Sequence, residues 1–207
     1  MENLVVFSIG AIAQILFGAR ILIQWILSEK AKKVLAPTIF WILSIVGSYL
    51  FFIYGWLRSD FAILTGQFVS YYIYLWNINQ KKLWEKVAPI LKVLLLVTPF
   101  VATGLAVAQG GSFVDSFLTN KDIPLWLVLF GCMGQLVFAF RFVYQWRYSS
   151  KRKDSLLPMG FWILSIVGAS TILIYAIIRK DPVLIFGQTF GFIAYSRNIF
   201  LSKKKLN

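Results

Sequence analysis

Long apolar stretches separated by short polar segments run through the whole chain. Each stretch contains the roughly 20 apolar residues that a helix needs to cross about 30 Å of hydrocarbon. The stretches lie at about positions 3–27, 38–57, 61–80, 88–108, 123–147, 159–178 and 182–201. This pattern predicts an all-α membrane protein with seven transmembrane helices.

The first three stretches and the last three are two copies of one unit. The segment Phe-Trp-Ile-Leu-Ser-Ile-Val-Gly at 40–47 returns unchanged at 161–168, 121 positions later, and the alignment continues on both sides without a gap. The fourth stretch has no counterpart; a single connecting helix lets the second three-helix unit enter the membrane in the same orientation as the first. We therefore predict two parallel triple-helix bundles, at 1–87 and 123–207, joined by a linker helix and external loop at 88–122.

Composition agrees with a membrane location, and the charge distribution orients the chain. Apolar residues make up 59% of the sequence and the mean hydropathy is +0.74, more than a soluble domain of 207 residues could bury. Of the basic residues behind the net charge of +13, 13 follow the first, third, fifth and seventh stretches and four lie on the opposite side. The positive-inside rule predicts an external N-terminus and a cytoplasmic C-terminus, in the inner (cytoplasmic) membrane. The orientation of the chain in the membrane accounts for the basic residues, so they do not indicate nucleic acid binding. We expect membrane lipids and not nucleic acid as partners.

The residue types that build common catalytic and metal sites are scarce. The chain has no histidine and a single cysteine, Cys132, so neither a metal site of the usual kind nor another cofactor is expected. All eight Asp and Glu residues lie in loops or near the ends of stretches, which leaves no intramembrane acid pair for general acid–base catalysis. No serine has an obvious base beside it. These features argue against an enzyme, and the sequence leaves the question open.

Two arginines fall inside apolar stretches at equivalent positions of the two units. Arg20 and Arg141 each lie about seven residues, roughly 10 Å, before the cytoplasmic end of their stretch. Gln24 and Gln145 follow them by one helical turn on the same face, but an amide cannot neutralise a guanidinium. Since phosphate is the usual complement of arginine, the pair predicts an anion-binding site. The alternative is that both side chains extend to the cytoplasmic headgroups.

Further polar residues share one face of the third and seventh stretches. They are Gln67, Tyr74 and Asn77 in the first unit, and Gln188, Tyr195 and Asn198 in the second. Facing inward, they would line a path from the membrane midplane to the cytoplasmic side; the alternative is hydrogen bonding between helices. The units differ nearby, where Trp76 corresponds to Arg197, so a bound ligand would meet an asymmetric site.

Several motifs in the two units resemble those of one family. They are Arg-x-x-x-Gln-Trp from 20 and 141, Pro-x-x-Phe-Trp-x-Leu-Ser-x-x-Gly from 37 and 158, Arg-x-Asp from 58, Gly-Gln in both units and Tyr-x-Arg-Asn from 195. On these motifs the chain is identified as a member of the lipid A biosynthesis N-terminal (LABN) domain family, in two tandem copies. The resemblance implies work on envelope glycolipids, because the family is named for its fusion to lipid-A-disaccharide synthase and its members occur beside glycosyltransferases. The layout of three, one and three helices is more distantly similar to SWEET and other PQ-loop transporters.

These observations combine into a hypothesis of transport. The chain would be an inner-membrane transporter or flippase for a phosphate-bearing glycolipid, such as a polyprenyl-phosphate sugar or a lipid A precursor. The expected binding residues are Arg20, Arg141 and Arg197 for the phosphate, Gln24, Gln145, Asn77 and Asn198 for sugar or phosphate oxygens, Trp41 and Trp162 for stacking on a sugar ring, and Gln67, Tyr74, Gln188 and Tyr195 for the lining. The alternatives are a non-transporting subunit that presents lipid to a glycosyltransferase, a SWEET-like uniporter of free sugars, and an enzyme of lipid A assembly.

Overall fold

The described part of the chain folds into α-helices joined by short connections. A computed structural model describes residues 2–57, 61–108, 124–178 and 182–203. The helices are α1 (Glu2–Ala31), α2 (Thr38–Leu57), α3 (Phe61–Gln80), α4 (Pro89–Ala108), α5 (Leu125–Arg152), α6 (Met159–Ile178) and α7 (Pro182–Lys203), with a 3₁₀ turn at Trp84–Lys86 before α4. The Arg-x-Asp motif at 58–60 and most of the predicted external loop lie outside the described residues.

Helices α1 and α5 extend several residues beyond the apolar stretches that predicted them. Each is followed by a lysine in the left-handed backbone region, Lys32 with φ 53° and Lys153 with φ 51°. The backbone N–H of the next residue then reaches back to the carbonyl of Ser28 in α1 and of Ser149 in α5, which closes the helix end. The same termination therefore occurs in both repeats.

The two repeats have the same internal order and meet along two seams. Helix α2 lies between α1 and α3, and α6 lies between α5 and α7. Across the repeats, α3 contacts α5 and α1 contacts α7, so the six helices form a closed ring with approximate twofold symmetry. Helix α4 lies outside this ring, against α2 and α3.

The centre of the ring is a cluster of aromatic side chains from both repeats. Phe40 and Trp41 of the first repeat lie in one buried cluster with Phe142, Phe161 and Trp162 of the second. Small residues let the helices approach closely enough for this packing: a Cβ atom built on Gly47 of α2 would lie 2.9 Å from the ring of Phe17 in α1. The interface between the repeats is thus the main core of the molecule.

The outer surface is apolar and suits a membrane. Within the described ranges, α1, α5 and α6 are each long and apolar enough to cross a bilayer. Their outward faces expose large apolar side chains, for example Ile15 and Leu136, each 68% exposed. A soluble protein does not leave so many of these residues in water, so the chain is associated with a membrane. That all seven helices cross the membrane stays a prediction.

Helix α4 is attached to the first repeat at the point where a proline interrupts it. Pro99 has no backbone N–H, so the carbonyl of Leu95, four residues earlier, loses its helical partner. The hydroxyl of Tyr71 in α3 donates a hydrogen bond to this carbonyl at 2.9 Å, and the hydroxyl of Tyr72 donates to the next carbonyl, that of Leu96, at 2.8 Å. The second repeat has Phe192 and Ile193 at the two tyrosine positions, so only the first repeat can bind α4 in this way.

Replacing Tyr71 with phenylalanine is expected to lower the free energy of unfolding by about 1–3 kcal/mol, because the Leu95 carbonyl is left unsatisfied in an apolar place. Tyr72→Phe is the matched control and should cost less, since the Leu96 carbonyl keeps its backbone partner in the helix. Adding Pro99→Ala to Tyr71→Phe restores a backbone N–H and should recover most of the loss. Thermal unfolding of the purified protein in detergent measures all three variants; equal costs for the two tyrosines would contradict this account.

Candidate functional site

Two buried arginines lie at the boundary between the repeats. Arg20 of α1 is 4% exposed and Arg141 of α5 is 3% exposed. The Nη1 atom of Arg20 donates to the Ser44 hydroxyl at 2.7 Å, and Nη1 of Arg141 donates to the Ser165 hydroxyl at 3.0 Å. Each arginine stands 11 residues before the end of its helix, about 16 Å at 1.5 Å per residue, so both lie far from the helix ends.

Aromatic rings surround both guanidinium groups. The rings within 5.5 Å of the guanidinium carbon are Phe17, Phe40, Tyr74 and Phe142 for Arg20, and Phe138, Phe142, Phe161 and Tyr195 for Arg141. Phe142 is common to both, at 5.5 Å from Arg20 and 4.8 Å from Arg141. The two cations therefore face the same ring, and their separation cannot exceed the sum of these two distances. We call the two arginines and these rings the arginine cage.

The positive charge of the arginine cage has no negative counterpart among the described residues. The two salt bridges that the structure describes, Lys81 with Asp154 and Arg197 with Glu29, both involve partly exposed side chains at the helix ends. Cation–π contacts are worth about 0.5–2 kcal/mol each, whereas burying an ion costs several kcal/mol and two like charges also repel each other. The cage reduces the cost of burial without neutralising the charge. The site is suited to an anion.

Four N–H groups in this region are buried and lack a hydrogen-bond acceptor within the described residues. They are Nε of Arg20, Nε of Arg141, Nε1 of Trp41 and Nε1 of Trp162. The two tryptophans are at equivalent positions, and both are 0% exposed. Because their rings are enclosed by protein, stacking on a sugar ring would require neighbouring side chains to move.

Two pairs of amide side chains connect the repeats one helical turn beyond the arginines. Gln24 of α1 and Asn198 of α7 exchange hydrogen bonds of 2.9 and 3.2 Å, and Gln145 of α5 and Asn77 of α3 exchange bonds of 2.9 and 3.1 Å. All four side chains are 0% exposed. We call these pairs the amide clasps. The four amides therefore bond to each other, which is the inter-helix hydrogen bonding considered as the alternative to ligand contact.

The connections between helices complete each clasp. The Nε2 atom of Gln24 also reaches the Leu35 carbonyl at 3.2 Å, and that of Gln145 reaches the Leu156 carbonyl at 2.9 Å. These residues follow α1 and α5, on the Lys-rich side of the arginine cage. One difference breaks the symmetry: the Ser155 hydroxyl donates to Asn77 Oδ1 at 2.7 Å, and the equivalent position in the first repeat is Val34.

The remaining predicted site residues fall into two groups. Tyr74 and Tyr195 are buried in the arginine cage, whereas Gln67 and Gln188 are half-buried, and the amide oxygen of Gln67 accepts from Ser48 at 2.9 Å. Arg197 is exposed and bonds to Glu29, with Nη2 to Oε2 at 3.0 Å, so the structure does not bring it to the two buried arginines.

Sequence reasoning missed Phe142, the ring shared by both arginines. Its counterpart in the first repeat is Ile21, so the comparison of the repeats gave no reason to select it. Among the residues that the structure describes, no three His, Cys, Asp or Glu side chains come together where they could hold a metal ion.

Comparison with known proteins shows which family the chain belongs to. The profile of the Lipid A Biosynthesis N-terminal domain matches residues 9–79 and again residues 130–200, which together make up more than half of the chain. The chain belongs to the Lipid A Biosynthesis N-terminal domain family. The two domains coincide with the two triple-helix repeats and exclude α4.

Relatives of this family member are considerably longer. The chain is 30% identical to the lipid-A-disaccharide synthase of Chlamydia felis over 97% of its own length and 34% of the relative. It is 31% identical to those of Chlamydia caviae and Chlamydia abortus, over 97% and 96% of its own length. The chain thus spans about a third of the length of the curated relatives it matches. No solved structure matches it. Membership of the Lipid A Biosynthesis N-terminal domain family associates the chain with lipid A biosynthesis.

The unequal clasps give a stability prediction. Asn77→Ala removes the donor to Gln145 Oε1 and also the acceptor of the Ser155 hydroxyl, whereas Asn198→Ala removes only the equivalent bonds to Gln24, so Asn77→Ala should cost about 1 kcal/mol more. The exposed residue Asn79 supplies the control, and Asn79→Ala should change stability by less than about 0.5 kcal/mol. Thermal unfolding in detergent ranks the three variants. If Asn198→Ala is as costly as Asn77→Ala, the extra bond from Ser155 does not contribute.

Proposed function

We propose that the protein is an inner-membrane carrier that moves a phosphate-bearing glycolipid of the lipid A pathway between the two faces of the bilayer. In this proposal all seven helices span the membrane, with the N-terminus outside and the C-terminus in the cytoplasm. The two triple-helix repeats are the moving halves, and the ligand binds between them.

The pair of buried arginines is the observation that supports this function most strongly. Arg20 and Arg141 come from different repeats, face one shared ring, and have no carboxylate partner among the described residues. An anion bound by both would hold the halves together, and its departure would let them separate. A phosphate group fits because the planar guanidinium donates to phosphate oxygens in pairs.

The amide clasps support closure of the site toward the Lys-rich ends of the helices. They are fully buried and link α1 to α7 and α3 to α5, the two seams of the ring. Neutral hydrogen bonds of this kind contribute only about 0.5–1.5 kcal/mol each, so the clasps can open and re-form during a transport cycle. The apolar outer surface would let the acyl chains of the glycolipid stay in the bilayer while its headgroup passes between the repeats.

A second candidate is a non-transporting membrane module that presents lipid to a glycosyltransferase. The observation that favours it is the set of relatives, in which this region makes up about a third of a longer protein named lipid-A-disaccharide synthase. The same arginine cage would then hold the phosphate of a lipid substrate close to the membrane surface.

The carrier proposal predicts that transport depends on both buried arginines. In proteoliposomes, Arg20→Gln and Arg141→Gln should each lower the rate of movement of a short-chain, phosphate-bearing glycolipid at least about tenfold, the equivalent of about 1.4 kcal/mol. The substitution removes the charge, keeps a polar side chain, and relieves an unmatched buried cation, so folding should be maintained.

The matched control is Arg152→Gln, because Arg152 is exposed at the end of α5 and its guanidinium lies 3.8 Å from the ring of Tyr148. This variant should transport at the normal rate. Normal transport by the double variant Arg20→Gln/Arg141→Gln would refute the carrier proposal. Co-purification of a glycosyltransferase, together with no transport by the isolated wild-type protein, would favour the second candidate.

A further inference from the structure

The two buried tryptophans, like the two buried arginines, each have an N–H group without a hydrogen-bond acceptor among the described residues. The indole N–H groups of Trp41 and Trp162 are enclosed by protein and have no acceptor within the described residues. A buried donor without an acceptor costs about 1–3 kcal/mol. The missing acceptor occurs at equivalent positions of both repeats, and two arginine Nε–H groups that contact the same cluster of rings also lack one. Such a repeated cost indicates a binding site better than it indicates poor packing.

The tryptophans and the arginines belong to the same cluster of rings. The ring centroids of Trp41 and Tyr74 are 6.1 Å apart, and Tyr74 also lies 5.4 Å from the Arg20 guanidinium carbon. In the second repeat, Trp162 lies 6.0 Å from Tyr195, whose ring is 5.5 Å from the Arg141 guanidinium carbon. Each tryptophan thus neighbours the same tyrosine ring as the arginine of its own repeat.

The two guanidinium and two indole N–H groups restrict the chemistry of the ligand that they can bind. Guanidinium and indole N–H groups only donate hydrogen bonds, so the ligand must be rich in acceptors. Water could accept from some of the donors, but it would leave two positive charges unmatched. A phosphate monoester supplies up to two negative charges and three acceptor oxygens on one atom. A carboxylate supplies only one charge and two oxygens.

We infer that the indole N–H groups of Trp41 and Trp162 and the Nε–H groups of Arg20 and Arg141 together bind one phosphate monoester. This inference rests on the proposed function and specifies the ligand group at its centre. It gives the tryptophans a different role from stacking on a sugar: they donate hydrogen bonds from the edge of the ring. The sugar of a glycolipid would then lie outside the arginine cage.

Nuclear magnetic resonance of the indole N–H groups tests this directly. The chain has eight tryptophans, and the protein can be labelled with ¹⁵N at their indole nitrogens in detergent micelles. Inorganic phosphate is expected to move the indole proton signals of Trp41 and Trp162 downfield, as hydrogen bonds to an anion do. The signal of Trp126, whose side chain is 59% exposed, should stay in place. Phosphate binding that depends on the arginines but moves neither buried indole signal would overturn the inference.

Substitution provides a second measurement and assigns the signals. Trp41→Phe and Trp162→Phe keep an aromatic ring and remove the N–H, so each should raise the Kd for phosphate about tenfold. Trp126→Phe should leave the Kd unchanged. If a buried variant does not fold, the shifts of the wild-type protein still decide the question. Unchanged Kd values for both folded buried variants would count against the inference.

Two further titrations identify the source of the phosphate group. Dihexanoyl phosphatidic acid carries a phosphate monoester on a lipid, and dihexanoyl phosphatidylcholine is the zwitterionic control. Saturation by phosphatidic acid at a concentration at least about tenfold below that of inorganic phosphate would support a lipid headgroup, and equal concentrations would support free phosphate. Equal shifts with phosphatidylcholine would refute a monoester site. Phosphate binding without glycolipid transport would contradict the carrier proposal and leave this inference standing.

Discussion

The structure depends on the burial of two positive charges that no carboxylate among the described residues matches. Each guanidinium donates to a serine hydroxyl and has four aromatic rings around it, an arrangement that lowers the cost of burial and leaves the charge in place. The pair lies where the two repeats meet, so the least favourable electrostatic feature of the chain is also at its main internal interface. An interface of this kind gains stability when an anion binds, which directly couples ligand binding to the association of the two halves.

Duplication of the unit explains most of the site, and the exceptions occur where the repeats meet. Arg20, Ser44 and Trp41 recur with the same burial at equivalent positions of the second repeat. A side chain close to the symmetry axis cannot be duplicated in the same space, and there one repeat has Phe142 where the other has the smaller Ile21. The larger ring thereby serves both arginines. A ligand bound at the centre would therefore contact an arginine from each repeat but different apolar side chains on its two sides.

The positions of the helices and of the two arginines within them could be predicted from the sequence. The contacts between the repeats could not. Apolar length located the helices to within a few residues, with the largest differences at the polar C-terminal ends of α1 and α5, where apolar pattern no longer marks the helix. The depth of Arg20 and Arg141 in apolar stretches allowed either burial or extension to the headgroups, and the structure has both side chains buried. The pairing of Gln24 with Asn198 could not be predicted, because spacing along a helix defines the face of a residue and not the helix opposite it. The pairing of Arg197 with Glu29 across the seam between α1 and α7 could not be predicted for the same reason.

The positions of the arginine cage and the amide clasps suggest how binding and opening could be linked in the proposed carrier. Gln24 and Gln145 are one turn from Arg20 and Arg141 on the same two helices, so α1 and α5 cannot move at one level and stay fixed at the other. The clasps are made of neutral hydrogen bonds, whose net worth is about 0.5–1.5 kcal/mol each. Charge-assisted bonds between arginine and phosphate are roughly twice as strong. The gain on binding an anion is thus of the size needed to shift the balance between open and closed clasps, and a ligand without that charge would not shift it.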